Sequence, residues 1–206
     1  SVTRLIGCFI FAFFIIYFLV ILNFASKEKI SNSYLGPITN FLKRYGKFAF
    51  FILLLISLYR IADVVMGVMA NIFYLEKGYK ISEIATFSKF FGVFATIVGG
   101  FIGGYCSYKF GTMKALFFGA FIAALSNLLF AWLAVSPTSV NFLIAVITAD
   151  NISSGFAGAA FVIYLSGLTS IKFTATQYAL FSSIMLFLPK LIAGYAGSWV
   201  DIMGYA

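Results

Sequence analysis

Long, unbroken apolar runs constrain this sequence more than any other feature. About 20 residues of α-helix cross the ~30 Å hydrocarbon core of a bilayer. Helices are the spanning structure that fits, because lipid leaves unpaired backbone groups unsatisfied and the runs lack the alternation of barrel strands. The predicted fold class is therefore all-α, a polytopic membrane bundle. Its six spans are expected over residues 5–24, 48–72, 84–107, 115–135, 141–169 and 176–199.

The composition supports this assignment. Of the 206 residues, 63% are hydrophobic and 10% are charged, which excludes an ordinary soluble domain. The formal net charge of +8 does not indicate a nucleic-acid partner, because basic residues in a membrane protein mark cytoplasmic connections. Cys8 and Cys106 lie in apolar segments and the chain has no histidine, so neither a disulfide nor a zinc site is indicated. No cofactor is predicted, and the sequence lacks the nucleophile–base pair of an enzyme.

Basic residues alternate between the connections. The loop at 25–47 carries five lysines and arginines, the turn at 109–114 carries two lysines, and Lys172 lies in the last connection. The opposite connections, at 77–80 and 136–140, have their charges offset by neighbouring glutamates or have none. The positive-inside rule predicts that the basic connections are cytoplasmic and that both ends of the chain lie outside.

Two charges lie inside the apolar run at 48–72. Arg60 and Asp63 are three residues apart and so share one face of a helix. Each costs about 2.5–3.5 kcal/mol near the centre of a membrane helix, so both are expected to face a polar interior. A structural salt bridge between them is the alternative to a functional role.

Other polar residues lie within the predicted spans. Asp150 and Asn151 fall near the middle of the 141–169 helix, and burial favours the protonated form of a carboxyl group, which suits a proton carrier. A function-neutral pair between Asp150 and a lysine is the alternative. Lys190 is predicted to be a site residue or a charge partner, while Lys89 either reaches the membrane surface or belongs to the site.

Glycines and a polar segment add two local predictions. Residues 99–104 contain two overlapping G-x-x-x-G pairs, which indicate close helix packing. Thr174 and Gln177 have the spacing of a capping box at the start of the last helix. Capping already explains Gln177, although contact with a substrate stays open.

Four pieces of sequence carry a family resemblance. The pieces are L-Y-R-I-A-D at 58–63, A-T-I-V-G-G-F-I-G-G at 95–104, D-N-I-S-S-G-F-A-G-A-A-F-V at 150–162, and F-T-A-T-Q-Y-A-L-F-S-S at 173–183 followed by A-G-S-W-V-D-I-M-G-Y at 196–205. In their order and spacing they resemble the AmpG-type muropeptide permeases of the major facilitator superfamily.

The resemblance implies a twelve-helix carrier of two halves, in which these six spans correspond to helices 6–11. Residues 1–24 would be the last helix of the N-terminal half, 25–47 the cytoplasmic loop between the halves, and 48–206 an incomplete C-terminal half. Two such halves rock about a shared site. The chain as given is therefore expected to be a piece of a longer protein or a truncated one, with the missing N-terminal half as its partner.

The implied function is proton-coupled import of anhydro-muropeptides through the bacterial inner membrane, by a multi-pass protein that binds a sugar-peptide and protons. An acyl-CoA or peptide carrier and a non-transporting remnant are the alternatives. Aromatic and amide side chains suit such a substrate. Asp63 and Asp150 are predicted to couple the proton. The predicted substrate-binding residues are Tyr59, Arg60, Asn151, Gln177, Tyr178 and Lys190.

Overall fold

The computed structural model describes residues 7, 11, 14, 15 and 35–203. Most of the predicted span 5–24 and residues 25–34 of the basic connection lie outside the described residues. No strand occurs in the described part of the chain, and the predicted all-α fold is confirmed. Its elements are α1 (Gly36–Tyr45), α2 (Phe48–Leu58), α3 (Ile61–Glu76), α4 (Ile81–Ile84), a π-helix (Ala85–Phe91), α5 (Gly92–Phe110), α6 (Thr112–Val135), α7 (Val140–Leu168), a 3₁₀ turn (Ile171–Phe173), α8 (Thr174–Ala193) and α9 (Ala196–Met203).

Five segments among the described residues are long and apolar enough to cross a membrane. They agree with five of the six predicted ranges to within five residues at either end. Helix α1 is an addition, because it lies inside the predicted basic loop. The five segments are span 1 (Phe48–Glu76), span 2 (Ile81–Phe110), span 3 (Thr112–Val135), span 4 (Val140–Leu168) and span 5 (Ile171–Ile202).

Span 1 is interrupted at its centre, where a continuous helix was expected. Helix α2 ends at Leu58, and Arg60 leaves the helical region with φ −103° and ψ 7° before α3 begins at Ile61. The two halves keep their own backbone bonds, from Tyr59 N to Leu55 O and from Val64 N to Arg60 O. Broken membrane helices of this kind are tolerated where the break is buried in protein or lines a polar cavity.

Span 4 is the central element of the bundle. It packs along spans 2 and 3, while span 1 packs along span 5. One buried apolar cluster lies at the α1 end and includes Phe41, Ile56, Leu116, Phe161 and Phe181. The other lies at the opposite end and includes Phe73, Phe130, Leu133, Leu143 and Ile147. In spans 1 and 4 the charged residues fall in sequence between the members of these two clusters.

Backbone contact explains how closely spans 2 and 4 approach. A side chain at Gly99 would collide with the carbonyl oxygen of Ile152, and one at Gly103 would collide with the backbone of Phe156. Gly104, in the same motif, has nothing within 4 Å. The close packing predicted from the G-x-x-x-G pairs is confirmed for Gly99 and Gly103.

Hydrogen bonds show which connections share an end of the bundle. Arg44, in the basic connection, donates to the carbonyl oxygen of Thr169, beside the next basic connection, at 3.2 Å. At the other end, the Lys77 ammonium donates to the carbonyl oxygen of Ala134 at 2.6 Å. The connections therefore alternate between two ends as the charge pattern predicted, while the cytoplasmic placement of the basic end stays a prediction.

Candidate functional site

A charged cluster lies at the break in span 1. Arg60 Nη1 is 3.3 Å from Asp63 Oδ2, and the two side chains retain 21% and 12% of their exposure. Arg60 lies twelve residues after the start of span 1, about 18 Å along a helix that rises 1.5 Å per residue. The ion pair thus lies near the middle of the span, where charge is most costly.

The break itself supports a negative charge at this depth. Asp63 lies in the first turn of α3, where the free N–H groups and the helix dipole favour a carboxylate. Arg60 Nη1 lies within 3.4 Å of the carbonyl oxygen of Ser154 in span 4. Gly158 leaves room for this contact, because a Cβ there would lie 3.2 Å from Arg60 Nη1.

Tyr59 fixes the end of α2 against two neighbouring helices. Its hydroxyl donates to the carbonyl oxygen of Leu116 at 2.9 Å, and its ring stacks on Phe161 at 4.7 Å between centroids with 4° between the planes. A side chain at Gly119 would collide with the Tyr59 hydroxyl, since its Cβ would lie 2.7 Å away. Tyr59 therefore positions the residue that follows it, Arg60.

Asp150 completes the charged cluster from span 4. It lies within electrostatic range of both Asp63 and Arg60, and the neutral Tyr74 lies within the same range of Asp150. The Asp150 carboxylate makes no hydrogen bond or ion pair with any residue in the described part of the chain. Two carboxylates and one guanidinium therefore share a half-buried space between spans 1 and 4.

Asn151, the next residue, faces another neighbour. Its Oδ1 accepts a hydrogen bond from the Thr96 hydroxyl of span 2 at 3.0 Å, and its Nδ2 donates to the carbonyl oxygen of Ile147 at 2.8 Å. The absence of a side chain at Gly92 admits the Asn151 amide, which lies 3.1–3.2 Å from where a Cβ would be. In this conformation Asn151 joins spans 2 and 4.

Gln177 lies away from the charged cluster, at the α1 end of the bundle. It is fully buried. Its Oε1 accepts from the Ser170 N–H at 2.7 Å, and its Nε2 donates to the carbonyl oxygen of Pro37 at 2.8 Å. The predicted capping box with Thr174 does not form as expected, because the Thr174 hydroxyl donates to the Ser170 carbonyl instead of accepting. The Gln177 amide instead accepts from the backbone N–H of Ser170, the residue that precedes the 3₁₀ turn.

The remaining predicted residues do not join the cluster. Tyr178 packs against the apolar cluster at the α1 end. Lys190 is exposed on span 5 and has no ion-pair partner within residues 35–203. The structure thus brings together Arg60, Asp63 and Asp150, with Tyr59 beside them.

Sequence reasoning missed two neighbours of these residues. Tyr74 carries no signal in the sequence, because it lies among apolar residues and only folding brings it near Asp150. Thr96 carried a usable signal. It lies four residues before Gly100 in the glycine motif, and a hydroxyl on a close-packed membrane helix face commonly bonds across the interface.

The five apolar spans and the charges buried between them define a multi-pass membrane protein. No protein-family model matches the chain. The chain is similar to AmpG 4, an inferred transporter of Rickettsia conorii, with 35% identity over 89% of the chain and 44% of the relative. AmpG 4 of Rickettsia felis is 37% identical over 83% of the chain and 41% of its own length. AmpG 1 of Rickettsia bellii is 39% identical over 72% of the chain and 37% of its own length.

These relatives confirm the resemblance to AmpG-type transporters that the sequence motifs indicated. The similarity extends along most of the chain, from 72% to 89% of it in these three comparisons. The chain spans less than half the length of these curated relatives.

Proposed function

We propose that this chain is part of a secondary transporter that imports anhydro-muropeptides together with protons through the bacterial inner membrane. The names of the relatives support transport, and the resemblance of the motifs supports the substrate. In this proposal residues 48–206 belong to the C-terminal half of the carrier, 25–47 form its cytoplasmic connection, and 1–24 are the last helix of an N-terminal half.

One observation carries the proposal: the Arg60–Asp63 pair at the break in span 1, with Asp150 facing it from span 4. A proton on Asp63 neutralises its carboxylate and weakens the pair with Arg60, which leaves the guanidinium free to bind an acceptor group of the substrate. Loss of that proton restores the pair and releases the substrate. Asp150 supplies a second proton position within electrostatic range.

The substrate contacts follow from the position of each predicted residue. Tyr59 and Asn151 are next in sequence to the charged cluster and offer a ring, a hydroxyl and an amide to a sugar-peptide. Both are engaged with protein partners in this conformation, so they bind substrate after those bonds exchange. Gln177, Tyr178 and Lys190 remain predicted contacts that lie outside the cluster.

The test is proton-driven uptake of labelled anhydro-muropeptide by the complete gene product in membrane vesicles. We expect Asp63→Asn to abolish accumulation driven by a pH gradient while substrate exchange at equal pH persists, because the neutral side chain mimics the protonated state. Glu76→Gln is the matched control, since Glu76 is an exposed carboxylate at the end of the same span. Unchanged coupling in Asp63→Asn would remove Asp63 from the mechanism. Uptake of labelled dipeptide or acyl-CoA that unlabelled muropeptide does not reduce would assign a different substrate.

A further inference from the structure

A second polar site lies apart from the charged cluster, in a pocket between the end of span 1 and the start of span 2. The pocket has a volume of about 280 Å³. Leu75, Ile84 and Ala85 form much of its apolar wall, and Asn71, Ser88 and Lys89 contribute the polar part. A volume just below the roughly 300–1,000 Å³ of complete small-molecule sites suits one end of a ligand.

Local backbone geometry places Lys89 in this wall. The seven residues Ala85–Phe91 form a π-helix between α4 and α5. π-helical turns are rare, and they occur frequently at functional sites. Here the wider turn carries Ala85, Ser88 and Lys89, three of the pocket residues.

Among the described residues, Lys89 has no oppositely charged partner. Its side chain is exposed and makes no ion pair or hydrogen bond within the described part of the chain. Lys89 is eight residues from the start of span 2, or about 12 Å along the helix axis. An exposed ammonium that lacks an ion-pair partner is available to an anionic ligand group.

The other lining residues narrow the kind of anion. Asn71 offers both a donor and an acceptor, and Ser88 offers a hydroxyl, which together match the amide groups of a peptide. The apolar wall accepts a small aliphatic side chain. A simple fatty acid carries no amide group to pair with Asn71 and Ser88, whereas a peptide does.

We propose that this pocket binds the terminal carboxylate of a short peptide through Lys89, with a small aliphatic side chain against Leu75, Ile84 and Ala85. The inference rests on the proposed function and deepens it, because it assigns the peptide end of a sugar-peptide substrate to spans 1 and 2. The sugar is left to the charged cluster between spans 1 and 4.

The experiment uses the complete gene product in lipid nanodiscs and saturation-transfer NMR, which detects weak binding. The probes are alanyl-alanine, its C-terminal amide and decanoate. Lys89→Gln removes the charge, Lys89→Arg keeps it, and Ala85→Phe fills the pocket while leaving Lys89 in place. Lys114→Gln is the control, since Lys114 is an exposed lysine outside the pocket.

We expect saturation transfer to alanyl-alanine to fall at least fivefold in Lys89→Gln and Ala85→Phe and to be largely kept in Lys89→Arg and Lys114→Gln. The amide should bind more weakly and be insensitive to Lys89→Gln. Equal transfer in Ala85→Phe and the unmodified chain, no transfer to alanyl-alanine from the unmodified chain, or stronger binding of decanoate that Lys89→Gln abolishes would each overturn the proposal. Circular dichroism measures helicity and so identifies a variant that fails to fold. If either Lys89→Gln or Ala85→Phe fails to fold, the other of these two decides the test.

The two proposals fail separately. Muropeptide uptake that is undiminished by Lys89→Gln would remove the pocket and leave the transport function intact. Binding of alanyl-alanine that depends on Lys89, combined with no muropeptide uptake by the complete gene product, would keep the pocket and overturn the proposed transport substrate.

Discussion

Arg60 and Asp63 fit two descriptions at the scale of single residues. As an ion pair 3.3 Å apart at the centre of a span, they satisfy each other's charge. Together with Asp150 they form a cluster of two carboxylates and one guanidinium, whose net charge is −1 when both carboxylates are ionised. A proton or a cationic group would balance that charge. The first description is about stability and the second about function, and stability measurements separate them.

Removing both members of the pair should cost less than the sum of the two single removals. We expect Arg60→Gln and Asp63→Asn each to lower the free energy of unfolding, because each leaves a partly buried charge without its partner. The double variant should be less destabilised than the sum of the two, with a coupling energy of about 0.5–3 kcal/mol. Equilibrium unfolding in mixed micelles measures all four proteins.

Additive effects in that cycle would mean that the two charges do not stabilise each other. The excess negative charge of Asp150 would then be the dominant neighbour of Arg60, and Asp150→Asn should weaken stability more than Asp63→Asn does.

The Thr96–Asn151 bond gives a second prediction for single residues. Thr96→Val keeps the shape of the side chain and removes its hydroxyl, so we expect a loss of about 1 kcal/mol in the free energy of unfolding. Thr86→Val is the matched control in the same span, because both hydroxyls bond a carbonyl of span 2, that of Ser82 or Gly92, but only the Thr96 hydroxyl also reaches another span. Equal losses in the two variants would show that the contact with Asn151 contributes nothing.

At the scale of elements, the packing of spans 2 and 4 depends on backbone contact at particular glycines. Gly99→Ala places a methyl group against the Ile152 carbonyl, and overpacking of this kind costs about 1–3 kcal/mol. Gly104→Ala has the same gain in helix propensity and meets nothing within 4 Å. We expect the first variant to be clearly destabilised in the same micelle titration and the second to be neutral or slightly stabilised.

Similar stability in those two alanine variants would contradict the close approach of the helices. It would mean that spans 2 and 4 separate far enough to admit a methyl group without loss of contact.

Hydrophobic pattern predicted the elements better than their interruptions. The five described spans were found because apolar length is visible in sequence. The break at Arg60 and the π-helix at Ala85–Phe91 were not predicted. A change in backbone hydrogen bonding leaves the order of apolar and polar residues in a run unaltered. The pairing of Arg60 with Asp63 was predictable from spacing, whereas the turn of Asn151 toward Thr96 required the helices to be placed.

At the scale of the whole molecule, the two ends of the bundle differ in charge. The described lysines and arginines of the basic connections lie at the end where Arg44 bonds to Thr169. At the other end, Lys77 donates to the carbonyl oxygen of Ala134 and the Tyr79 hydroxyl donates to that of Ser139. The alternation of connections was readable from charge alone, because sidedness depends on loop composition and not on packing.

Cysteine labelling in intact cells tests the orientation. In a background with Cys8 and Cys106 replaced by serine, Lys43→Cys should react with an impermeant maleimide only after the membrane is opened. Lys80→Cys should react from outside, because both lysines are exposed but lie at opposite ends. Labelling in the reverse order would invert the assignment of the cytoplasmic side.

Helix α1 is joined to the bundle at several points. The Gln177 amide binds the Pro37 carbonyl, and the Arg44 guanidinium binds the carbonyl oxygens of Leu168 and Thr169 at the end of span 4. A segment that precedes residue 35 is therefore connected to a helix that is bonded to the bundle. A displacement of α1 would therefore move the ends of spans 4 and 5 through these hydrogen bonds. Helix α1 thus couples the bundle mechanically to the residues that precede it.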